Sequence, residues 1–357
     1  MRQTKRVLVV DDSAFMRRLI TEIVESRPEF VVVGTARDGS DALAKTRLLR
    51  PDIVTLDIEM PGMDGLTALA QIMTEMPRPV VMLSAAGSES DNSLTIRALE
   101  LGAIEFVRKP SGPISIDLAL VRAELMRALN AASMVRVAHV VAPLRIERAE
   151  PVTERAPLHN EPARAAVVIA ASTGGPKALS EVMSHLPERL DAAVLIVQHM
   201  PEEFLHSLAR RLSQLGPLPV KVAADDEPVM TGRVYLAPGD RHMSVVMRRG
   251  RPFVRIDSGP AICGVRPSAD PLFASAALAF GENLVGVVLT GMGRDGSDGL
   301  RAVRAAGGGA IVQDRASSII YGMPRAALAA AGADRVVAPR LVGAAVADIL
   351  SSRRAVA

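Results

Sequence analysis

The chain has a single cysteine, Cys263, and no tryptophan. An internal disulfide is therefore excluded and a reducing compartment is expected, so the cytoplasm is the expected location. Aromatic residues make up only 3% of the sequence, too few for a run of stacking platforms on bases or sugars. No apolar run approaches the ~20 residues that a spanning helix requires, so no membrane insertion is expected. The basic start, Met1-Arg2-Gln3-Thr4-Lys5-Arg6, is followed only by Val7 to Val10 before Asp11-Asp12, too short for the apolar core of a signal peptide. No His/Cys cluster has zinc-ligand spacing, no helix-turn-helix with a basic recognition helix is visible, and no internal repeat is found. Neither sign of charge dominates: 42 basic residues face 39 acidic ones. No nucleic-acid partner is expected from that balance.

What is present is a 357-residue chain that is 49% hydrophobic, enough for two buried cores. Short Val-, Ile- and Ala-rich runs alternate with amphipathic stretches. In the first part these runs are Val7–Val10, Phe30–Gly34, Ile53–Leu56, Val80–Leu83 and Ile104–Val107. Apolar runs of this length, each followed by a helical pattern, predict parallel strands covered on both faces. Residues 131–163 break the alternation with Pro143, Pro151, Pro157 and Pro162 and scattered charges. The pattern then resumes. The expected fold class is α/β: a five-stranded doubly wound domain over 1–130, a flexible linker over 131–163, and an α/β domain over 164–357. The last has a mostly parallel sheet and a β-hairpin excursion among its shorter strands near 220–256. The third segment carries 22 bases against 17 acids. That excess fits a solvated basic surface, with an anionic partner as the alternative reading.

In open parallel sheets, ligands sit beyond the carboxyl ends of the strands. In the first domain those ends carry Asp11 and Asp12, then Asp57, Ser84 and Lys109. Any one of the aspartates could simply cap a helix or turn. Taken together, three carboxylates on one rim repel unless a hard divalent cation joins them, and Mg²⁺ suits such an oxygen site. A carboxylate held beside the metal can attack phosphorus, with Lys109 and the Ser84 hydroxyl binding the phosphoryl oxygens. This pattern resembles the receiver domain of bacterial response regulators over residues 5 to about 125. The resemblance implies that Asp57 is phosphorylated by a chemotaxis histidine kinase. It also implies Mg²⁺ held by Asp11 or Asp12 and Asp57 with the Glu59 backbone carbonyl, and Phe106 as the aromatic switch residue.

In the second domain Ser172 follows the run Ala165–Ala170 and precedes Gly174-Gly175-Pro176, a turn that exposes a hydroxyl at a helix start. Alone it is a weak signal, and a helix cap or an anion-binding turn is the favoured reading over a nucleophile. However, His199 ends the next strand, and Asp295 lies in the glycine-rich loop after the strand Leu284–Leu289. A hydroxyl is inert at neutral pH until a base takes its proton; histidine supplies the base and aspartate fixes its tautomer. The order Ser, His, Asp differs from that of α/β-hydrolases.

The segments Ala171–Gly175, Gln198-His199-Met200-Pro201, Ala237–Met243, Arg266–Asp270 and Thr290–Gly296 resemble the catalytic domain of the chemotaxis protein-glutamate methylesterases. The similarity spans 165 to 350. It implies Ser172 as nucleophile, His199 as base, Asp295 as orienting acid and the Met292 backbone N–H as an oxyanion donor, with no cofactor in this domain. It further implies hydrolysis of glutamate γ-methyl esters, and deamidation of specific glutamines, on methyl-accepting chemotaxis receptors. Regulation is expected through the first domain, which when unphosphorylated would cover the cleft. His242 reads either as lining this site or as a structural turn histidine. Cys263 has no base placed for it and reads as a small apolar residue. The rival readings are a DNA-binding regulator, for which no reading helix is present, and an adaptor without hydrolysis, against which the complete Ser, His, Asp set stands.

Overall fold

The computed structural model describes residues 4–84, 89–109, 116–135 and 161–354. The chain divides into two units, Met1–Arg145 and Ile146–Ala357.

In the first unit five strands alternate with five helices. They run β1 (Lys5–Val10), α1 (Ala14–Glu25), β2 (Phe30–Ala36), α2 (Gly39–Leu49), β3 (Ile53–Asp57), α3 (Gly65–Glu75), β4 (Val80–Ser84), α4 (Glu89–Glu100), β5 (Glu105–Arg108) and α5 (Ile116–Met134). The sheet is wholly parallel, in the order β2-β1-β3-β4-β5. Val7 to Val10 are fully buried, as expected for a strand covered on both faces. Short polar side chains start the helices: Ser13 Oγ accepts from Met16 N, Asp38 from Asp41 N, and Asp64 from Thr67 N. α5 continues through Met134, four residues into the span expected as linker. Its apolar run Ala128, Leu129, Ala131, Ala132 stays buried and so favours continued helix. The rest of that span, 136–160, lies outside the described residues, and 161–163 are tied to the second unit through Ala163 N on Val229 O at 2.9 Å.

The second unit contains β6 (Ala166–Ala171), α6 (Gly175–Ser184), β7 (Ala193–Gln198), α7 (Glu202–Leu215), β8 (Val220–Val222), β9 (Val234–Leu236), β10 (His242–Arg248) and β11 (Arg251–Asp257). It continues with α8 (Ala269–Phe280), β12 (Leu284–Val288), α9 (Ser297–Ala305), β13 (Gly309–Gln313), α10 (Met323–Ala331), β14 (Arg335–Val337) and α11 (Val342–Arg354). The main sheet has seven strands in the order β14-β13-β12-β6-β7-β9-β8, all parallel. Of the four short strands after α7, β8 and β9 extend this sheet; only β10 and β11 form an antiparallel hairpin. Their buried residues decide the difference: Val234, Tyr235 and Leu236 are covered on both faces, whereas the hairpin exposes Arg248, Arg251 and Arg255. β6 is the central strand. The chain builds outward from it on one side through β7, then returns to build β12, β13 and β14 on the other. The crevice at this reversal of strand order is where such sheets bind ligands.

Candidate functional site

In the first unit, Asp11, Asp12 and Asp57 each offer a carboxylate oxygen within 4.8 Å of the others. Asp11 and Asp57 are buried and Asp12 is exposed. Lys109, just past β5, places Nζ 2.8 Å from Asp11 Oδ2 and 2.6 Å from Asp57 Oδ2. Burial pushes the Asp57 carboxyl up to about 6, against the pull of Lys109 and with a further push from Asp11. For Lys109, burial pulls the ammonium down, but the two carboxylates outweigh it and raise it above its usual value. Gly65 makes the return after β3 possible: a Cβ there would lie 1.9 Å from the Asp57 carbonyl oxygen. Glu59 follows on that return and its backbone N–H points to Asp57 Oδ1 at 3.4 Å. A cavity of about 460 Å³ opens beside them, lined by Asp12, Ile58, Glu59, Met60, Asp64 and Leu94 among others. Phe106 is buried. The Ser84 hydroxyl, expected to meet a phosphoryl group, is paired with Thr95 Oγ1 of α4 at 2.9 Å. Three converging hard oxygen donors fit a Mg²⁺ ion.

In the second unit, Ala171 and Gln198 are paired in register as the last residues of β6 and β7. Ser172 and His199 therefore leave neighbouring strands at one level, on strands ~4.8 Å apart. The third side of the crevice is the loop after β12, whose Thr290 carbonyl accepts from Ser172 N at 3.0 Å. Gly291 must be glycine here, because a Cβ would lie 2.7 Å from Ser172 Cβ and closer still to Met323 Sδ. Asp295 follows in the same loop. Its Oδ2 is 2.8 Å from His199 Nε2.

A carboxylate can only accept, so a neutral His199 carries its proton on Nε2, and Nδ1 is the lone-pair nitrogen. Asp295 also accepts from Ser268 Oγ at 2.6 Å and from Ala269 N at 2.7 Å. These donors are the cap, Ser268, and the first residue, Ala269, of α8, whose positive end favours the negative charge. Burial alone would push the Asp295 carboxyl up; the bonds from His199, Ser268 and Ala269 outweigh it and hold it below the usual carboxylate range.

The Ser172 turn is braced separately. Gln198 Nε2 donates to the carbonyls of both Ser172 and His199 at 3.0 Å, and Gly175 N donates to Ser172 O at 2.7 Å. Ser172 itself is 8% exposed. The Met292 side chain is exposed, and its backbone N–H has no acceptor among the described residues. Sequence reasoning did not single out Gln198 or Ser268, although both lie in the motif segments. His242 does more than end a turn: it is 2% exposed and accepts from Ser268 N through Nδ1 at 3.1 Å. Cys263 is exposed rather than packed as a small apolar residue. Partial desolvation, then the carboxylates of Asp270 and Asp295, push its thiol up, the reverse of what a thiolate nucleophile needs.

Comparison with known proteins matches residues 7–121 to the response regulator receiver domain and residues 167–346 to the CheB methylesterase domain. A protein-glutamate methylesterase/protein-glutamine glutaminase of Pyrococcus abyssi is 46% identical over 336 residues, covering 93% of this chain and 90% of its own. One from Geobacillus kaustophilus is 43% identical and covers 98% of this chain and 99% of its own. The crystal structure of the Thermotoga maritima CheB methylesterase catalytic domain is similar with a TM-score of 0.51 at 37% identity, covering 52% of this chain and 98% of that one. With both domains matched in this order, and with such identity along nearly the whole length, the chain belongs to the CheB methylesterase family.

Proposed function

We propose that this chain is a phosphorylation-regulated esterase that hydrolyses glutamate γ-methyl esters on chemoreceptors, with Ser172, His199 and Asp295 as its catalytic residues. The observation that carries the reading is the His199–Asp295 hydrogen bond at 2.8 Å, on strands whose register sets Ser172 beside His199. Ser172 Oγ attacks the ester carbonyl as His199 Nδ1 takes its proton. The charge that develops on the carbonyl oxygen is met by the Met292 N–H. His199 returns the proton to the departing methoxide, and methanol leaves. Water, deprotonated by the same nitrogen, then frees the glutamate and Ser172. Asp295 holds the ring and stabilises the imidazolium at each stage. Glutamine deamidation follows the same route with ammonia leaving.

Control enters through the first unit. Asp57 Oδ accepts a phosphoryl group from a chemotaxis histidine kinase, and the Lys109 ammonium offsets the added charge. Asp11, Asp12 and Asp57, with the backbone carbonyl of Glu59, are the residues that would hold Mg²⁺. When bound, the ion would offset charge on the transferring group. Ser84 exchanges its Thr95 partner for a phosphoryl oxygen, with Phe106 as the accompanying aromatic switch. Both reactions are assigned to the cytoplasm. Among the described residues, no helix is long and apolar enough to cross a membrane.

The test is methanol release from methylated receptor, with and without a small phosphodonor, by the wild-type chain and by Ser172→Ala. Release that depends on Ser172 and rises with the phosphodonor is expected; equal release by the two proteins rejects the nucleophile.

A further inference from the structure

We infer that His242 is a positioning residue for the esterase: it holds the Ser268 turn that fixes Asp295, and through Asp295 it sets the orientation of His199. This deepens the reading of Ser172, His199 and Asp295 as one site, and rests on it.

His242 opens β10, in the hairpin outside the parallel sheet, yet it is 2% exposed. Both ring nitrogens are used. Ser268 N lies 3.1 Å from Nδ1, and Pro260 O lies 3.0 Å from Nε2. A backbone N–H only donates and a carbonyl only accepts, so the ring is neutral, bare at Nδ1 and protonated at Nε2. A charged or flipped ring breaks at least one of these bonds. The imidazole is therefore a fixed brace, with no nitrogen left for substrate.

What it braces is the start of α8. The residue held through its N–H, Ser268, donates Oγ to Asp295 Oδ1 at 2.6 Å, and the next residue donates Ala269 N to Oδ2 at 2.7 Å. The two donors grip both carboxylate oxygens and fix the plane of the carboxylate. That plane determines where Oδ2 meets His199 Nε2, and so where Nδ1 points. A continuous line of hydrogen bonds thus runs from the hairpin to the base: His242, Ser268, Asp295, His199. Ser268 N follows Pro267, which has no N–H of its own to share the load. Once His242 is removed, Ser268 N loses its acceptor; Val245 N still donates to Ser275 Oγ further along α8 at 3.0 Å, but the start of the helix is freed and both grips on Asp295 loosen together.

The two nitrogens can be tested separately. In a side-chain amide, the asparagine oxygen reaches about where Nδ1 stands, whereas the glutamine amide reaches about where Nε2 stands. In the full-length chain, His242→Leu and His242→Gln should lower kcat for methanol release about tenfold, the scale of coupling between groups in one hydrogen-bonded network, with KM within about twofold. His242→Asn should restore kcat to within about threefold of wild type. Melting temperatures of the variants separate a loss of fold from a loss of alignment. If His242→Leu does not fold, the Asn and Gln pair carries the test, and equal kcat values for those two overturn the inference.

A double-mutant cycle closes the argument. With Asp295→Asn in place there is no carboxylate left to align, so adding His242→Leu should cost less than about twofold. If Asp295→Asn lowers kcat but His242→Leu still costs about tenfold on top of it, His242 acts by some other route and this inference is overturned while the catalytic assignment stands. If Asp295→Asn alone leaves kcat unchanged, the catalytic assignment itself fails, and the inference with it.

Discussion

The side-chain amide of Gln198 donates to the carbonyl of Ser172 and to that of His199, both at 3.0 Å, so one buried group ties the turn after β6 to the end of β7. Its other end is held by packing alone: Oε1 is buried with no hydrogen-bond partner among the described residues, and it lies 1.9 Å from where a Cβ on residue 175 would stand. Gly175→Ala must therefore displace Gln198. An overpacked core site costs about 1–3 kcal/mol, and here the displaced group is the tie itself. Gly175→Ala is expected to lower both the melting temperature and kcat. Gln198→Leu, which removes the donors without the clash, should lower kcat with a smaller stability loss. Unchanged kcat in Gln198→Leu would show that the tie has no catalytic consequence.

A fluorophosphonate ester should label this chain once. The Ser172 oxygen forms the new bond to phosphorus as fluoride leaves and His199 takes the proton. Intact-mass spectrometry should show a single adduct, mapped by digestion to Ser172, and none on Ser172→Ala. Labelling of His199→Ala should be slower by about two orders of magnitude or more, the usual contribution of a positioned base. An adduct on Cys263 or on another serine would contradict the assignment.

The low carboxyl pKa of Asp295 links the site to stability. A carboxylate held below its unfolded value contributes stability that is full above about pH 4 and is lost as pH falls through its folded value. Asp295→Asn should therefore destabilise the fold at pH 7, by about 1–3 kcal/mol for hydrogen bonds lost from a buried acceptor. The difference from wild type should shrink as pH drops below 4. Denaturant unfolding across pH 3 to 8 measures it; a gap that does not narrow in acid would mean that the charge on Asp295 is not what the donors stabilise.

Asp57→Asn should abolish stimulation of methanol release by a small phosphodonor while leaving the unstimulated rate within about twofold, since Asp57 belongs to the other unit. A chelator should abolish the same stimulation in the wild-type chain and leave the unstimulated rate alone. A chain beginning at residue 164 should be faster than the unphosphorylated whole, in line with a restraining first domain. If the shortened chain is folded and no faster, restraint by the first domain is ruled out.

The central strands of both parallel sheets were legible because they are short Val-, Ile- or Ala-rich runs, several of which stop at a chemically distinctive residue. Asp57, Ser172 and His199 stand out as polar groups placed where an apolar run stops. Asp295 was legible through its glycine-rich loop. The supports were not. Ser268 and Asp295 are 27 residues apart, and Ser268 and His242 are 26 apart; such pairs exist only once the hairpin and α8 are packed, and no local period announces them. The assignment of β8 and β9 to the main sheet was likewise open, since short strands between Gly and Pro fit a hairpin equally well until the parallel pairing of β9 with β7 and of β8 with β9 decides. The pairing of Ser84 with Thr95 depends on which face α4 turns inward, which the sequence of that helix leaves undetermined.

β6 stands at the centre of its sheet, with β7 on one flank and β12 on the other. In the order of synthesis, Ser172 and His199 emerge from the ribosome before Asp295. A nascent chain that stops short of β12 has its middle strand bare along one edge, no loop against Ser172 and no partner for the imidazole. Chemical competence therefore arrives only with the second half of the sheet, so truncated products of interrupted synthesis that lack it should be hydrolytically silent.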